Sequence, residues 1–331
     1  MFAPLRGRRV IDLTRILAGP FCTQLLGDWG ADVIKVERPF IGDDTRHWGP
    51  PFDRDNTAIY FHSINRNKKS LALNFQAPEG RRVIEELIAN SDVFIENYLP
   101  GKLEKYGLGY DDLLSINPKL VYASLTGWGQ TGPLASRAGY DVIVASYGGL
   151  MSITGDSNGP PARVGVAVTD LFTGVLTSNA IVAGLLQVEK TGKGVWIQSS
   201  LLQAQAAMLS HIAANYLTSN IDGKRLGTAH PSLVPYQSFL TRDEKYLTIG
   251  AGNNVHFIEL CKLLSLEDVL NDSRFTDNSD RVLNRDVLIY KLSHRFQEKD
   301  REYWEEFFST ENVRFPWGPG RLLFISEHKL S

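Results

Sequence analysis

The chain has 331 residues, 43% hydrophobic and 22% charged, with a formal net charge of −2. That composition is ordinary for a globular protein of about two domains, and a balance so near neutral gives no whole-molecule pull toward nucleic acid or an anionic membrane. Two cysteines, Cys22 and Cys261, stand far apart without metal-ligand spacing, which argues against a structural zinc or a disulfide framework and for a reducing compartment.

Arg6, Arg8 and Arg9 hint at a presequence, but no amphipathic Ser/Arg-rich leader precedes them. RRVIDLT then predicts a first strand, and PFCTQLLGDWG a helix opened by Pro20 and closed at Gly27 or Gly30. ADVIKVE and SLALNF predict two further strands. PEGRRVIEELIANS predicts a helix with Pro78 in its first turn and Val83, Ile84, Leu87 and Ile88 on one face. SDVFIENY and LVYASLTG are the next strands. Such alternation implies a parallel sheet covered by helices, with ligands outside the carboxyl ends of the strands. Residues 139–165, rich in Gly and Pro, predict loops and a short helix. A strong helix follows from about Asp170 to Lys190, stopped at TGKG. GVWIQSS predicts a strand and LLQAQAAMLSHIAANYL one long helix. No run reaches membrane-spanning length.

Near Ile221 the character changes. SLVPYQSFL and KYLTIGAG flank the polar turn TRDE and predict a β-hairpin, with helices around 253–265, 280–297 and 301–309. The expected organisation is therefore α/β: a Rossmann-like parallel-sheet domain over 1–220, a smaller α+β domain over 221–319, and an atypical tail over 320–331.

Asp170 carries two compatible readings. As an N-cap or first-turn residue it stabilises its helix by roughly 1 kcal/mol. The same helix terminus keeps a carboxylate ionised and able to attack a thioester carbonyl. Spacing leaves both open. Arg38, Lys68, Lys69, Lys105 and Arg137 lie near strand ends or loops, where a phosphorylated adenosine nucleotide wants positive charge, although each alone reads as solvated surface. GWGQTG, SYGGL and GAGNN read as tight turns and match neither GxGxxG after the first strand nor a P-loop, so a dehydrogenase or P-loop NTPase is not supported. His211, on an apolar helix, reads as packed. His230 starts a turn before the hairpin, where it either lines a ligand or only shapes the turn.

RILAGPFCTQLLGDWGADVIKVERP, NRNKKSLALN, ENYLPGKLEKYGLGYDDL, SLTGWGQTGP, AGYD, GLMSITG and RVGVAVTDLFTG follow one another at the spacings of the class III CoA-transferases, and over residues 4–319 the chain resembles that family. SHIAANYL, GTAHPSLVPYQSF and GAGNN are similar to its succinyl-CoA:glutarate branch. The resemblance implies Asp170 as nucleophile, forming a mixed anhydride and then an aspartyl-CoA thioester. It implies CoA contacts at Ala18, Arg38, Leu73, Asn97, Tyr98 and Lys105, with Arg137 near the adenosine phosphates. Tyr140, His230 and Tyr236 are expected at the acceptor pocket. The implied partners are an acyl-CoA and a carboxylic acid, with CoA thioesters as substrates, no permanently bound cofactor, no metal, no nucleic acid and no membrane. Leu17 stands where the formyl-CoA transferase branch carries Gln, which argues against an oxalate/formate pair.

Two alternatives stand beside this reading. One is an α-methylacyl-CoA racemase, whose pattern resembles AGHD where this chain has AGYD; a phenol titrating near ~10 makes Tyr140 a poor base. The other is an inactive isoform, because the family fold implies about a hundred further residues that complete an interlocked homodimer. The animal members of the branch imply a mitochondrial location, with the cytoplasm as alternative.

Overall fold

In the computed structural model, which describes residues 2–320, short apolar runs alternate with amphipathic helices as β1 (Arg9–Leu13), α1 (Ala18–Asp28), β2 (Asp32–Glu37), α2 (Ile59–Ser63), β3 (Lys68–Ala72), α3 (Pro78–Ala89), β4 (Val93–Glu96), α4 (Tyr110–Ile116), β5 (Val121–Thr126), α5 (Asp141–Tyr147), α6 (Val168–Thr191) and β6 (Val195–Ser200). The strands are parallel, in the order β3-β2-β1-β4-β5-β6. β4 and β5 are buried along their whole length and are apolar on both faces except for Glu96, Ser124 and Thr126 near their carboxyl ends. One face packs Val10, Val93, Ile95 and Val121 against Cys22 and Leu26 of α1 and Ile181 and Leu185 of α6. The other packs Ile11, Phe94 and Tyr122 against Ile84 and Ile88 of α3 and Leu113 of α4. From β1 the chain adds β2 and β3 on one side, then returns to add β4, β5 and β6 on the other. This reversal opens a crevice at the carboxyl ends of β1 and β4.

The described residues divide into two units: 2–153 with Ala162–Gly223, and Thr154–Pro161 with 224–320. The first unit also holds α7 (Leu201–Met208) and α8 (Ser210–Ser219). In the second, β7 (Tyr236–Leu240) and β8 (Tyr246–Gly250) form the expected antiparallel hairpin. α9 (Asn254–Leu263), α10 (Glu267–Leu270), α11 (Asn278–Leu283), α12 (Arg285–Phe296) and α13 (Arg301–Thr310) follow. Phe239, Leu247 and Ile249 pack on Phe257 and Leu260 of α9, Leu288 and Phe296 of α12, and Trp304 and Phe308 of α13. A third strand, β9 (Trp317–Pro319), pairs with β8; its three residues carry too little alternation to be read from sequence.

Several expectations change. The sequence places the domain boundary at 220/221 and leaves 154–161 in the first domain, whereas those residues cluster with the second unit. Val83 is 38% exposed, so only part of the expected apolar face of α3 is covered. The single helix expected over LLQAQAAMLSHIAANYL is two, broken where Ser210 takes φ 47°, and His211 on α8 is exposed rather than packed. α6 is, by length and composition alone, a 24-residue helix that could cross a membrane, which the sequence reading did not find. Here it packs on α1, α5 and α7 and on β5 and β6. Apart from Gly320, the expected tail lies outside the described residues.

Candidate active site

Two glycines bring the site together. A Cβ on Gly19, in the first turn of α1, would stand 2.4 Å from the Cβ of Thr14, just beyond β1. A Cβ on Gly174 of α6 would stand 2.8 Å from the carbonyl oxygen of Ala18. Their absence lets α6 approach the start of α1 at the switch-point crevice. Asp170, one turn before Gly174, thereby lines the same cavity of about 240 Å³ as Ala18, Asn97, Tyr98 and Tyr140. A second cleft of about 280 Å³ shares Arg15, Tyr98 and Lys102 with it and adds Arg38 and Leu73. The shared wall makes a track from the carboxylate to the arginines.

Asp170 does not cap its helix. The N-cap of α6 is Ala167, which offers no side-chain acceptor. Asp141, at the start of α5 and 8% exposed, supplies the cap: its Oδ1 accepts the amides of Thr169 (2.9 Å) and Asp170 (3.2 Å). The Asp170 carboxyl is consequently left to the cavity wall. Burial pushes its pKa up to about 7, and the Asp141 charge adds to the rise. The sequence expectation of a carboxylate kept ionised by the helix terminus is thus outweighed. A helix dipole contributes about 0.3–1 kcal/mol at exposed positions, less than the several kcal/mol of desolvating a carboxylate. Tyr60 on α2 senses the same centre. Burial raises its phenol, the Asp170 charge raises it further, and Arg163 opposes. Its ring meets that of Trp48 edge-on at 5.6 Å.

Positive charge gathers along the second cleft. Arg15 and Arg38 both donate to Asp44, at 3.1 and 2.8 Å. The Tyr98 ring is approached by Arg15, whose Cζ is 5.5 Å from the centroid, and by Lys102, whose Nζ is 5.6 Å away. Three cations therefore line one cleft with a single carboxylate, Asp44, paired to two of them and an aromatic ring beside the third, an arrangement suited to a phosphorylated nucleotide.

Among the residues singled out in the sequence, Ala18, Asn97, Tyr98, Tyr140 and Asp170 meet at the first cavity, and Arg38, Leu73 and Tyr98 at the second. Lys105 lies exposed in the short turn Glu104–Tyr106 and lines neither; Lys102 occupies the lining instead. Arg137 is exposed, its guanidinium 5.9 Å from the Trp128 ring, while the next residue, Ala138, lines the first cavity. Lys68 leaves the basic set altogether. Its side chain is 2% exposed and donates to Asp12 (3.1 Å) and to the Pro20 carbonyl (2.8 Å), and burial lowers its pKa to about 8. Lys69 pairs with Asp32. His230 and Tyr236 belong to the second unit, where their rings meet at 5.5 Å and Nδ1 of His230 accepts the Ser232 amide. Sequence reasoning missed Arg15, Lys102 and Asp141. Arg15 lies two residues beyond β1, a position that could have flagged it; Asp141 is 29 residues from the helix residue whose amide it accepts, beyond any local capping pattern.

A doubly wound sheet with a half-buried carboxylate at its switch-point cavity and a cationic cleft beside it suits an enzyme of anionic, nucleotide-bearing substrates. The model of CoA-transferase family III matches residues 5–320. The chain is 54% identical over 316 residues to the human succinyl-CoA:glutarate CoA-transferase, covering 96% of this chain and 71% of that one. It is 53% identical to the mouse counterpart, over 96% and 72%. The crystal structure of a CAIB/BAIF family protein from Brucella suis superposes with a TM-score of 0.86 at 43% identity, covering 98% of this chain and 85% of that one. The chain belongs to CoA-transferase family III. It is a CoA-transferase, and its substrates are CoA thioesters.

Proposed function

We propose that this protein moves CoA from succinyl-CoA to glutarate or a similar dicarboxylate through covalent intermediates on Asp170. The observation that carries the reading is Asp170 itself, a half-buried carboxylate with a raised pKa on the wall of a cavity that continues into a cationic cleft. The identity to the human and mouse enzymes supports the choice of substrates.

In this reading Arg15, Arg38 and Lys102 take the phosphates of CoA, and the wall formed by Ala18, Asn97 and Tyr98 guides the thioester toward Asp170. An Asp170 oxygen attacks the acyl carbon; the C–S bond breaks, leaving a mixed anhydride and the CoA thiolate. The thiolate attacks the aspartyl carbon of the anhydride, releasing succinate and leaving an aspartyl-CoA thioester. A carboxylate oxygen of the acceptor attacks that thioester and expels the thiolate again. The thiolate then attacks the acceptor's acyl carbon, forming the new acyl-CoA and restoring the Asp170 carboxylate. An activated acyl bond survives each step, so no nucleotide triphosphate is consumed, provided water stays out. A pKa near 7 suits the nucleophile: it is more basic than an ordinary aspartate and still substantially ionised at neutral pH. A homodimeric, mitochondrial enzyme completes the proposal by analogy with the branch.

The test is incubation with succinyl-CoA and isotopically labelled glutarate, with hydroxylamine trapping and mass spectrometry of the Asp170 peptide. Labelled glutaryl-CoA together with a hydroxamate at Asp170 is expected. An active enzyme whose Asp170 is never modified would overturn the mechanism, and epimerisation of a 2-methylacyl-CoA without an acceptor acid would replace the reaction class.

A further inference from the structure

The turn that leaves β1 is built unlike any other part of the cavity wall. Ile16 has φ 74°, in the left-handed region where a β-branched residue is sterically disfavoured. The backbone polar groups leading to it are engaged by side chains, most of them from other segments of the chain. The Thr14 amide donates to Asp12 Oδ1 at 2.9 Å, and the Thr14 carbonyl accepts from Lys35 Nζ at 2.8 Å. The Arg15 amide donates to Asn97 Oδ1 at 3.0 Å, and the Arg15 carbonyl accepts from Asn97 Nδ2 at 2.7 Å. The Ile16 amide donates to both oxygens of Asp43, at 3.2 and 3.3 Å.

Asp43 is itself fixed from several directions. Its side chain and that of Lys35 are 0% and 2% exposed and pair at 2.9 Å. Its Oδ1 also accepts the Thr45 amide and hydroxyl, at 3.0 and 2.8 Å, and its own amide donates to Glu37 at 2.9 Å. Glu37 in turn is held by Arg46 and Ser70. Such an arrangement over-determines the carboxylate's position, which is the condition under which a strained turn persists. The turn's residues Arg15–Ala18 all line the cavity that Asp170 faces.

We propose that Asp43, set in place by Lys35, is a positioning residue for the acyl-CoA: by holding the Ile16 amide it keeps residue 16 of the Arg15–Ala18 wall in the left-handed conformation. The inference rests on the reading that this cavity receives an acyl-CoA. Asp43 touches no reacting atom; it acts through the backbone of residue 16.

The experiment is a double-mutant cycle of Asp43→Asn with Ile16→Gly, reading kcat and KM for succinyl-CoA and for the acceptor, alongside Tm. Glycine adopts φ near +74° without steric cost, so in the Ile16→Gly background the turn needs no clamp. Asp43→Asn is expected to lower kcat/KM for succinyl-CoA by about 10–100-fold in the wild-type background, mostly through KM and with the acceptor KM little changed. In the Ile16→Gly background the loss should shrink to less than about 3-fold. An equal loss in both backgrounds, or none in the wild type, overturns the proposal. If Asp43→Asn alone does not fold, a folded and active double variant supports it and an unfolded double variant overturns it. CoA binding by titration calorimetry, measured on the same four proteins, separates this inference from the functional reading. A wild type that transfers no CoA fails that reading, while the binding cycle still reports on the clamp.

Discussion

The carboxyl edge of the parallel sheet and the second unit bury charge in different ways. At the sheet edge, Asp12 meets Lys68 and Asp43 meets Lys35, every side chain almost wholly enclosed. Burial alone would raise the Asp12 carboxyl; Lys68, Lys35 and the Thr14 and Thr23 hydroxyls hold it well below the usual carboxylate range. In the second unit Arg281 is fully buried, and its hydrogen bonds go to amide oxygens. Nε donates to the Val234 carbonyl at 2.8 Å, Nη1 to those of Phe275 and Thr276, and Nη2 to the Asn254 side chain at 2.8 Å. Asn278 and Arg285 take the carbonyls of Ser232, His230 and Pro231 beside it. Dipoles of carbonyls are enough to fix the path of a loop. Matched ionic pairs are found where the chain is also forced into a strained turn beside the cavity, and there a fixed carboxylate does more than satisfy hydrogen bonds.

The sharpest separation of the two regions comes from Asp170→Asn. Loss of the nucleophile should lower kcat by at least about 10⁴-fold. Tm should stay level or rise, because a half-buried carboxylate that resists ionisation destabilises the folded state. An Asp170→Asn enzyme with substantial activity would remove the chemistry from the sheet edge.

Next in size is the contrast of Lys35→Met with Arg281→Met. The first strands a buried Asp43 charge and should cost about 3–5 kcal/mol in urea unfolding. It should also raise KM for the acyl-CoA in the molecules that remain folded. The second orphans several buried acceptors and should cost about 3 kcal/mol, with kcat and KM per folded molecule unchanged. If Arg281→Met shifted KM as much as Lys35→Met, the two ways of burying charge would not differ in function.

A further contrast is pH-dependent. The pKa of Asp170 is raised in the folded protein from 3.8 to about 7, so between those values the folded state binds more protons than the unfolded one. Wild-type stability measured relative to Asp170→Asn should therefore fall as pH rises from about 4 to about 7 and level off above. Activity should run the opposite way, kcat/KM climbing toward a plateau above about pH 7 as the nucleophile ionises. Activity already flat at pH 5 would mean that the carboxylate is not desolvated in the free enzyme.

Much of this was legible in the chain. β1 to β6 and the helices between them follow from apolar runs and helix signals, and the family resemblance pointed to Asp170 and to most residues now found around the cavities. What local pattern could not supply has a common character. Val83 sits at the edge of its helix's apolar stripe, and whether that edge is covered depends on a neighbouring element. The break at Ser210 interrupts a sequence whose helical period runs straight through it. Lys68 looked like a free cation at a strand end because its partner, Asp12, is on another strand.

By itself the sequence determined a doubly wound α/β unit, an antiparallel hairpin with helices after it, and a carboxylate in the first turn of a long helix. Those properties are local: they follow from side-chain period, turn chemistry and spacing within a few residues. Tertiary structure alone decided how that carboxylate behaves. Asp141 reaches across from α5 to take the cap, two missing Cβ atoms bring α6 against α1, and the resulting burial lifts the Asp170 pKa. Desolvation and electrostatics depend on what is near in space, and near in space here means 29 residues away in the chain.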